Sequence, residues 1–248
     1  MTSTSIVLHP PLSLRSPFHY RRHISCHSGK TGTSTPMPVA ASWFSKALGQ
    51  RLNTAGVLWS LKVATKQPQL LIPHVSVADI RSIEWDVLEK AGFRGVVFDK
   101  DNTITAPYSL ALWPLLESSF KKCCDAFPGK VAVLSNSAGL NEYDPDGSHA
   151  RTIEESIQGV HVIRHETKKP AGSAEEIEEY FNCPASNIVM VGDRYFTDIV
   201  YGNRNGFLTI VTQPLSMIGE PFVVQQVEVT LVCKLSNGYL SNRFLLWI

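Results

Sequence analysis

Four short apolar runs, each ending abruptly in polar or charged residues, constrain this chain more than any other feature. They are GVVF at 95–98, VAVL at 131–134, VHVI at 160–163 and IVMV at 188–191. Runs of this length, rich in β-branched residues, read as buried strands. Helical patterns lie between them. Residues 110–127 place Leu112, Leu116, Phe120 and Cys123 (or Cys124) at helical intervals. In residues 173–181, Ser173 and Glu176 predict a capping box ahead of Ile177, Tyr180 and Phe181. A fifth strand, residues 207–211, follows the turn GNRNG. Strands alternating with helices predict an α/β fold with a parallel sheet and helices on both faces. Right-handed crossovers then bring several strand ends to one edge. With 248 residues and 44% of them hydrophobic, the chain can build one such domain with a substantial core.

The residues that follow the strands carry chemistry. The first strand ends in Asp99 and Asp101, the second in Ser135 and Asn136, and the third leads to Lys168, Lys169 and Pro170. The fourth ends in Gly192, Asp193 and, after a short turn, Thr197 and Asp198. Carboxylates as close as Asp99 and Asp101 repel each other unless a cation or a shared proton stabilises them. A divalent metal with oxygen ligands meets that need, and Mg²⁺ suits a site also built for phosphate. The plainer alternative is a strand ending in a solvated acidic turn. Together the strand ends offer a carboxylate nucleophile, an acid/base, phosphate donors and acidic metal ligands, the parts of phosphoryl transfer.

Between residues 95 and 212 the chain resembles the haloacid dehalogenase-like (HAD) phosphohydrolases, with all four motifs of that superfamily in order. The wording DKDNTIT, KKP and GDRYFTDI resembles more narrowly the phosphatidylglycerophosphate phosphatases of mitochondrial and plastid type, with their bacterial relatives. The resemblance implies a Rossmann-like HAD fold. It makes Asp99 the nucleophile and Asp101 the general acid and base. It makes Asp193 a Mg²⁺ ligand beside Asp99, with the Asp101 main-chain carbonyl adding a third oxygen. Asp198 is either a further ligand or the acceptor that orients a metal-bound water. Ser135 and Lys169 would hold the phosphoryl group, Lys169 being preferred to Lys168 because the family's lysine directly precedes the proline. Asn136 and Thr103 are possible assistants, and Arg194 and Arg204 are candidate contacts to a lipid phosphate. His161 and His165 receive no catalytic role.

About 35 residues separate Asp99 from Ser135, and about as many separate Ser135 from Lys169. A βα unit takes ~30 residues, so neither interval admits a large lid, and a minimal cap is expected. An open site of this kind suits a bulky substrate such as a lipid headgroup at a bilayer.

The first 78 residues hold no Asp or Glu, while Arg15, Arg21, Arg22, Lys30, Lys46, Arg51, Lys62 and Lys66 are basic. Residues 1–42 are rich in Ser, Thr and Pro and read as an organelle transit peptide. A chloroplast destination is favoured, with the mitochondrion as alternative. Residues 43–78 follow as a basic segment in which Phe44, Leu48, Leu52, Ala55 and Trp59 recur at helical spacing. That helix could lie on an anionic membrane or pack on the domain. The HAD-like domain is expected over residues 79–248, although residues 222–235 and the apolar end 244–248 resist assignment. Cys26, Cys123, Cys124, Cys183 and Cys233 form no metal-type pair and read as thiols of a reducing compartment. The formal charge of +1 argues neither way about nucleic acid, and no nucleic-acid partner is expected. The expected partner is a phospholipid at a membrane surface. A phosphatase for a soluble sugar or nucleotide phosphate, and a non-catalytic membrane adaptor of the same fold, stand as alternatives.

Overall fold

The computed structural model describes residues 66–216. The transit-peptide reading of residues 1–42, the amphipathic segment up to residue 65 and the C-terminal readings beyond residue 216 lie outside the described residues.

Six parallel strands form one sheet: β1 (Val75–Ser76), β2 (Gly95–Phe98), β3 (Val131–Val133), β4 (His161–Val162), β5 (Ile188–Gly192) and β6 (Leu208–Val211). Their spatial order is β1-β6-β5-β2-β3-β4. The helices are α1 (Trp85–Lys90), α2 (Glu117–Ala126), α3 (Ser148–Ser156), α4 (Glu175–Phe181) and α5 (Val200–Asn205). Side chains alternate across β2 as strand geometry requires. Val96 and Phe98 join a core with Trp85 of α1, Phe120 and Cys123 of α2, and Ile153 of α3. Val97 faces the other way, toward Ile177 and Phe181 of α4 and Tyr201 of α5. The predicted parallel sheet with helices on both faces is therefore present. Neither the β2–β3 nor the β3–β4 connection carries an inserted domain.

The strand order reverses between β2 and β5. From β2 the chain proceeds outward through β3 and β4, then returns to β5 on the other side. In open sheets that reversal opens a crevice at the strands' carboxyl ends. Here it falls where Asp99 leaves β2 and Asp193 leaves β5.

Several local expectations change. The helix expected from residue 110 starts only at Glu117, after a 3₁₀ turn at Pro114–Leu116, because proline suits a first turn and not an interior. The capping box at Ser173 does not form. Helix α4 is capped at Ala174 without a side-chain bond, while the Ser173 carbonyl accepts from Tyr201 Oη at 2.6 Å. The domain also begins before residue 79. Strand β1 pairs with β6, and Asn203 Nδ2 donates to the carbonyls of Leu70 and Ile72 at 2.8 and 2.9 Å. Two residues of strand gave too little periodicity to reveal β1 in the sequence. Cys123 is buried, Cys124 and Cys183 are half-buried, and all three are free thiols; burial pushes the Cys123 thiol up. Among the described residues no helix is long and apolar enough to cross a membrane.

The β1 edge is held by His74, whose Nδ1 accepts from Thr209 N at 3.1 Å and whose own N donates to Thr209 Oγ1 at 3.2 Å. Burial lowers the His74 pKa from its ordinary 6.5. A depressed histidine contributes stability that is present above pH 6.5 and lost as pH falls through the depressed value. His74→Asn retains an acceptor but does not titrate. Its thermal midpoint is expected to fall less than the wild type's between about pH 7.5 and about pH 5.5. An equal fall in both proteins would remove His74 from the account.

Candidate active site

Three carboxylates and one ammonium meet at the β2–β5 crevice. Asp99 directly follows β2, and its N–H donates to Val191 O at 2.8 Å, prolonging the pairing with β5 by one bond. Asp193 directly follows β5. Asp198 lies in a single π-helical turn, Tyr195–Ile199, a distortion often found at functional sites. Ligand atoms of Asp99, Asp193 and Asp198 lie within 4.8 Å of one another, with Asp193 and Asp198 buried. Thr103 Oγ1 donates to Asp193 Oδ1 at 3.4 Å.

Lys169 Nζ enters this group from the β4–α4 loop. It donates to Asp99 Oδ1 and to Asp198 Oδ1, both at 2.7 Å, with only 1% of its side chain exposed. Burial alone would lower the lysine's pKa, but the charges of Asp198 and Asp99 outweigh it and raise the value. Lys169 is therefore a fixed cation. Burial raises the Asp198 pKa, against the pull of Lys169. Lys168, one residue earlier, turns outward onto Tyr143, with its Nζ 4.0 Å from the ring centre.

Gly192 makes the geometry possible. A Cβ there would sit 2.4 Å from Asp198 Cβ and 2.5 Å from Asp198 Oδ2. Only glycine lets the Asp198 carboxylate lie against the strand end, where its Oδ2 accepts from Arg194 N at 3.2 Å. The GD pair in the sequence was the available signal for this requirement.

Two expected phosphate contacts have other partners. The Asn136 side chain brackets the Lys169 main chain, accepting from Lys169 N at 2.7 Å and donating to Lys169 O at 3.1 Å. Both of its polar ends are thus engaged in holding the lysine loop. Arg204 donates to the carbonyls of Pro170 and Gly172 at 2.9 and 2.8 Å, so its guanidinium fastens the same loop. Ser135 Oγ lies 3.0 Å from Ser137 Oγ at the mouth of β3. His165, to which the sequence assigns no catalytic role, has a structural one. Its ring nitrogens lie 2.8 Å from Ser135 O and 2.9 Å from Thr167 O, tying the serine loop to the lysine loop. His161 is a strand residue paired with Glu154 and stacked on Tyr180.

Asp101 does not join the carboxylate cluster. Strand geometry ends at Phe98, and the chain turns at Asn102, which has a left-handed φ of 63°. The Asp101 side chain instead receives Lys100 Nζ and Tyr108 N, both on Oδ1. Among the described residues its Oδ2 has no protein donor. The expected side-by-side placement of Asp99 and Asp101 is thereby corrected. The pair consists of one carboxylate inside the cluster and one at its rim.

Asp99, Asp193 and Asp198 present only hard oxygen donors, crowded into a mostly buried site beside the Lys169 ammonium. That composition fits a small divalent cation such as Mg²⁺.

A family profile described as mitochondrial PGP phosphatase matches residues 55–216. The chain is 59% identical over 182 residues to phosphatidylglycerophosphate phosphatase 1, chloroplastic/mitochondrial, of Arabidopsis thaliana, covering 73% of this chain and 52% of that protein. It is 46% identical to phosphatidylglycerophosphate phosphatase 1, chloroplastic, of Chlamydomonas reinhardtii, over 71% of this chain and 65% of that one. It is 34% identical to phosphatidylglycerophosphatase GEP4, mitochondrial, of Saccharomyces cerevisiae, over 62% of this chain and 84% of that one. The chain thus spans between about half and two thirds of the length of the two plant and algal relatives.

Gly192→Ala is expected to cost about 1–3 kcal/mol by overpacking, read as a lower urea midpoint, and to move Asp198 away from Lys169. An unchanged midpoint with the ion pair intact would show that the glycine is dispensable.

Proposed function

Since the chain belongs to the mitochondrial PGP phosphatase family, we propose that it removes the terminal phosphate of phosphatidylglycerophosphate to leave phosphatidylglycerol. The carrying observation is the buried Lys169 ammonium shared by Asp99 and Asp198 at the sheet's reversal point. Asp99 Oδ1 is held by Lys169, and among the described residues Oδ2 has no protein donor, which leaves one oxygen of a fixed carboxylate to attack phosphorus. The bond from phosphorus to the glycerol oxygen breaks as the aspartyl-phosphate forms. Asp101 Oδ2 gives its proton to that leaving oxygen, then takes one from the water that cleaves the aspartyl-phosphate. Lys169 neutralises charge on the phosphoryl oxygens as the bonds change. Ser135 donates to the same group. Asn136 and Arg204 act one step back, by holding the loop that carries Lys169.

Mg²⁺ would be held by Asp99, Asp193 and Asp198 with the Asp101 main-chain carbonyl, and when bound it supplies further positive charge for the phosphoryl oxygens. Among the described residues neither the β2–β3 nor the β3–β4 connection inserts a cap, which favours a headgroup presented by a bilayer over a small metabolite that needs enclosing. The acid-free leader and the chloroplast and mitochondrial relatives support an organelle location, the chloroplast first and the mitochondrion as alternative.

The test is phosphate release from a panel of phospholipid and soluble monoesters, with Mg²⁺ and with a chelator. Release from phosphatidylglycerophosphate should dominate and should vanish with the chelator. Asp99→Asn and Asp101→Asn should each lower turnover by at least about 100-fold. Preference for a sugar or nucleotide phosphate would overturn the lipid assignment, and full activity in either variant would overturn the roles.

A further inference from the structure

Directly after Asp101 the chain runs for fifteen residues, 102–116, without a charged side chain. The ends of this stretch are buried, with Ile104 and Leu116 inside the core and Trp113 N donating to Ile104 O at 2.9 Å. Its middle stands out from the surface. Tyr108 is 75% exposed, Leu110 45% and Leu115 65%, and Ala111 and Pro114 are exposed beside them. Of six large apolar side chains exposed among the described residues, three fall in this one segment. Its position is fixed by the site itself: Tyr108 N donates to Asp101 Oδ1 at 2.8 Å, and Lys100 Nζ donates to Ser109 O at 2.9 Å. Tyr108 keeps that bond with a left-handed φ of 62°, which a bulky residue rarely adopts.

We propose that residues 108–115 form a membrane-facing lip, with Leu110 and Leu115 entering the hydrocarbon edge of a bilayer and Tyr108 lying at its polar interface. The inference rests on the phospholipid reading above. Continuity with the site selects the occupant. A protein covering this lip would close the mouth that Asp101 borders, whereas a bilayer seated there presents its own phosphate headgroups to Asp99. An uncharged apolar loop with a tyrosine at its margin has the composition of an interfacial anchor. Because the lip hangs from Asp101 and Lys100, docking sets the height of the acid/base above the membrane plane.

The experiment uses the full chain, vesicles of phosphatidylcholine and phosphatidylglycerol with or without phosphatidylglycerophosphate, and p-nitrophenyl phosphate as a soluble monoester. Leu110→Ser with Leu115→Ser should lower turnover on substrate vesicles by about tenfold or more. It should also weaken co-sedimentation with substrate-free vesicles and leave p-nitrophenyl phosphate hydrolysis unchanged. Leu110→Phe with Leu115→Phe should retain all three properties, and Val87→Ser, at an exposed apolar position on α1, should behave as wild type. Unchanged vesicle turnover in the serine variant, or a parallel loss on both substrates, would overturn the lip. So would a fall in the protein's native mass on the serine substitution, which would assign the surface to a second copy of the chain. Wild type that releases no phosphate from the lipid would contradict the functional reading instead, while sedimentation on substrate-free vesicles still decides the lip.

Discussion

The site depends on one buried contact: the Lys169 ammonium set between Asp99 and Asp198. A charge this deep is tolerated only when paired, and removing one partner of such a pair typically costs several kcal/mol, about 3–5. The surrounding structure is arranged to keep it paired. Asn136 grips both polar groups of the lysine's main chain, Arg204 binds the next turn of the loop, and His165 bridges that loop to the end of β3. Gly192 leaves room for the carboxylate that faces the lysine. Side chains that look like ligand-binding groups in the sequence thus serve to fix one cation.

The sheet supplies the rest. Parallel strands place all their carboxyl ends on one edge, and the reversal between β2 and β5 parts the connecting loops there. Asp99 and Asp193 leave adjacent strands, while Ser135 and Lys169 arrive from the loops after β3 and β4. Among the described residues, the short crossovers after β2 and β3 insert no domain over this edge. A strand-end edge without an inserted domain among the described residues, an uncharged stretch beside Asp101 and membership of the mitochondrial PGP phosphatase family are mutually consistent.

The strands were legible because their apolar runs are short, β-branched and cut off by polar residues. The residues that gather at the crevice were legible because strand ends in a parallel sheet must converge. What the sequence hid was local and three-dimensional. Strand β1 is two residues long and carries no period. Ser173 has the spacing of a helix cap, yet Tyr201 from another helix occupies its carbonyl. The spacing of Asp99 and Asp101 suggested one shared cluster, but the left-handed turn at Asn102 and the Lys100 ammonium draw the second carboxylate to the rim. Asn136 and Arg204 carry the right chemistry for phosphate, and only the folded loop shows that backbone groups hold them.

The central claim is that Asp99 attacks phosphorus. The most direct measurement is rapid quenching of a single turnover on phosphatidylglycerophosphate, followed by borohydride reduction of any acyl phosphate and peptide mass spectrometry. Asp99 is expected to be recovered as homoserine during turnover and not in substrate-free controls. An unmodified Asp99 throughout a turnover that releases phosphate, or the reduction product at another carboxylate, would contradict it.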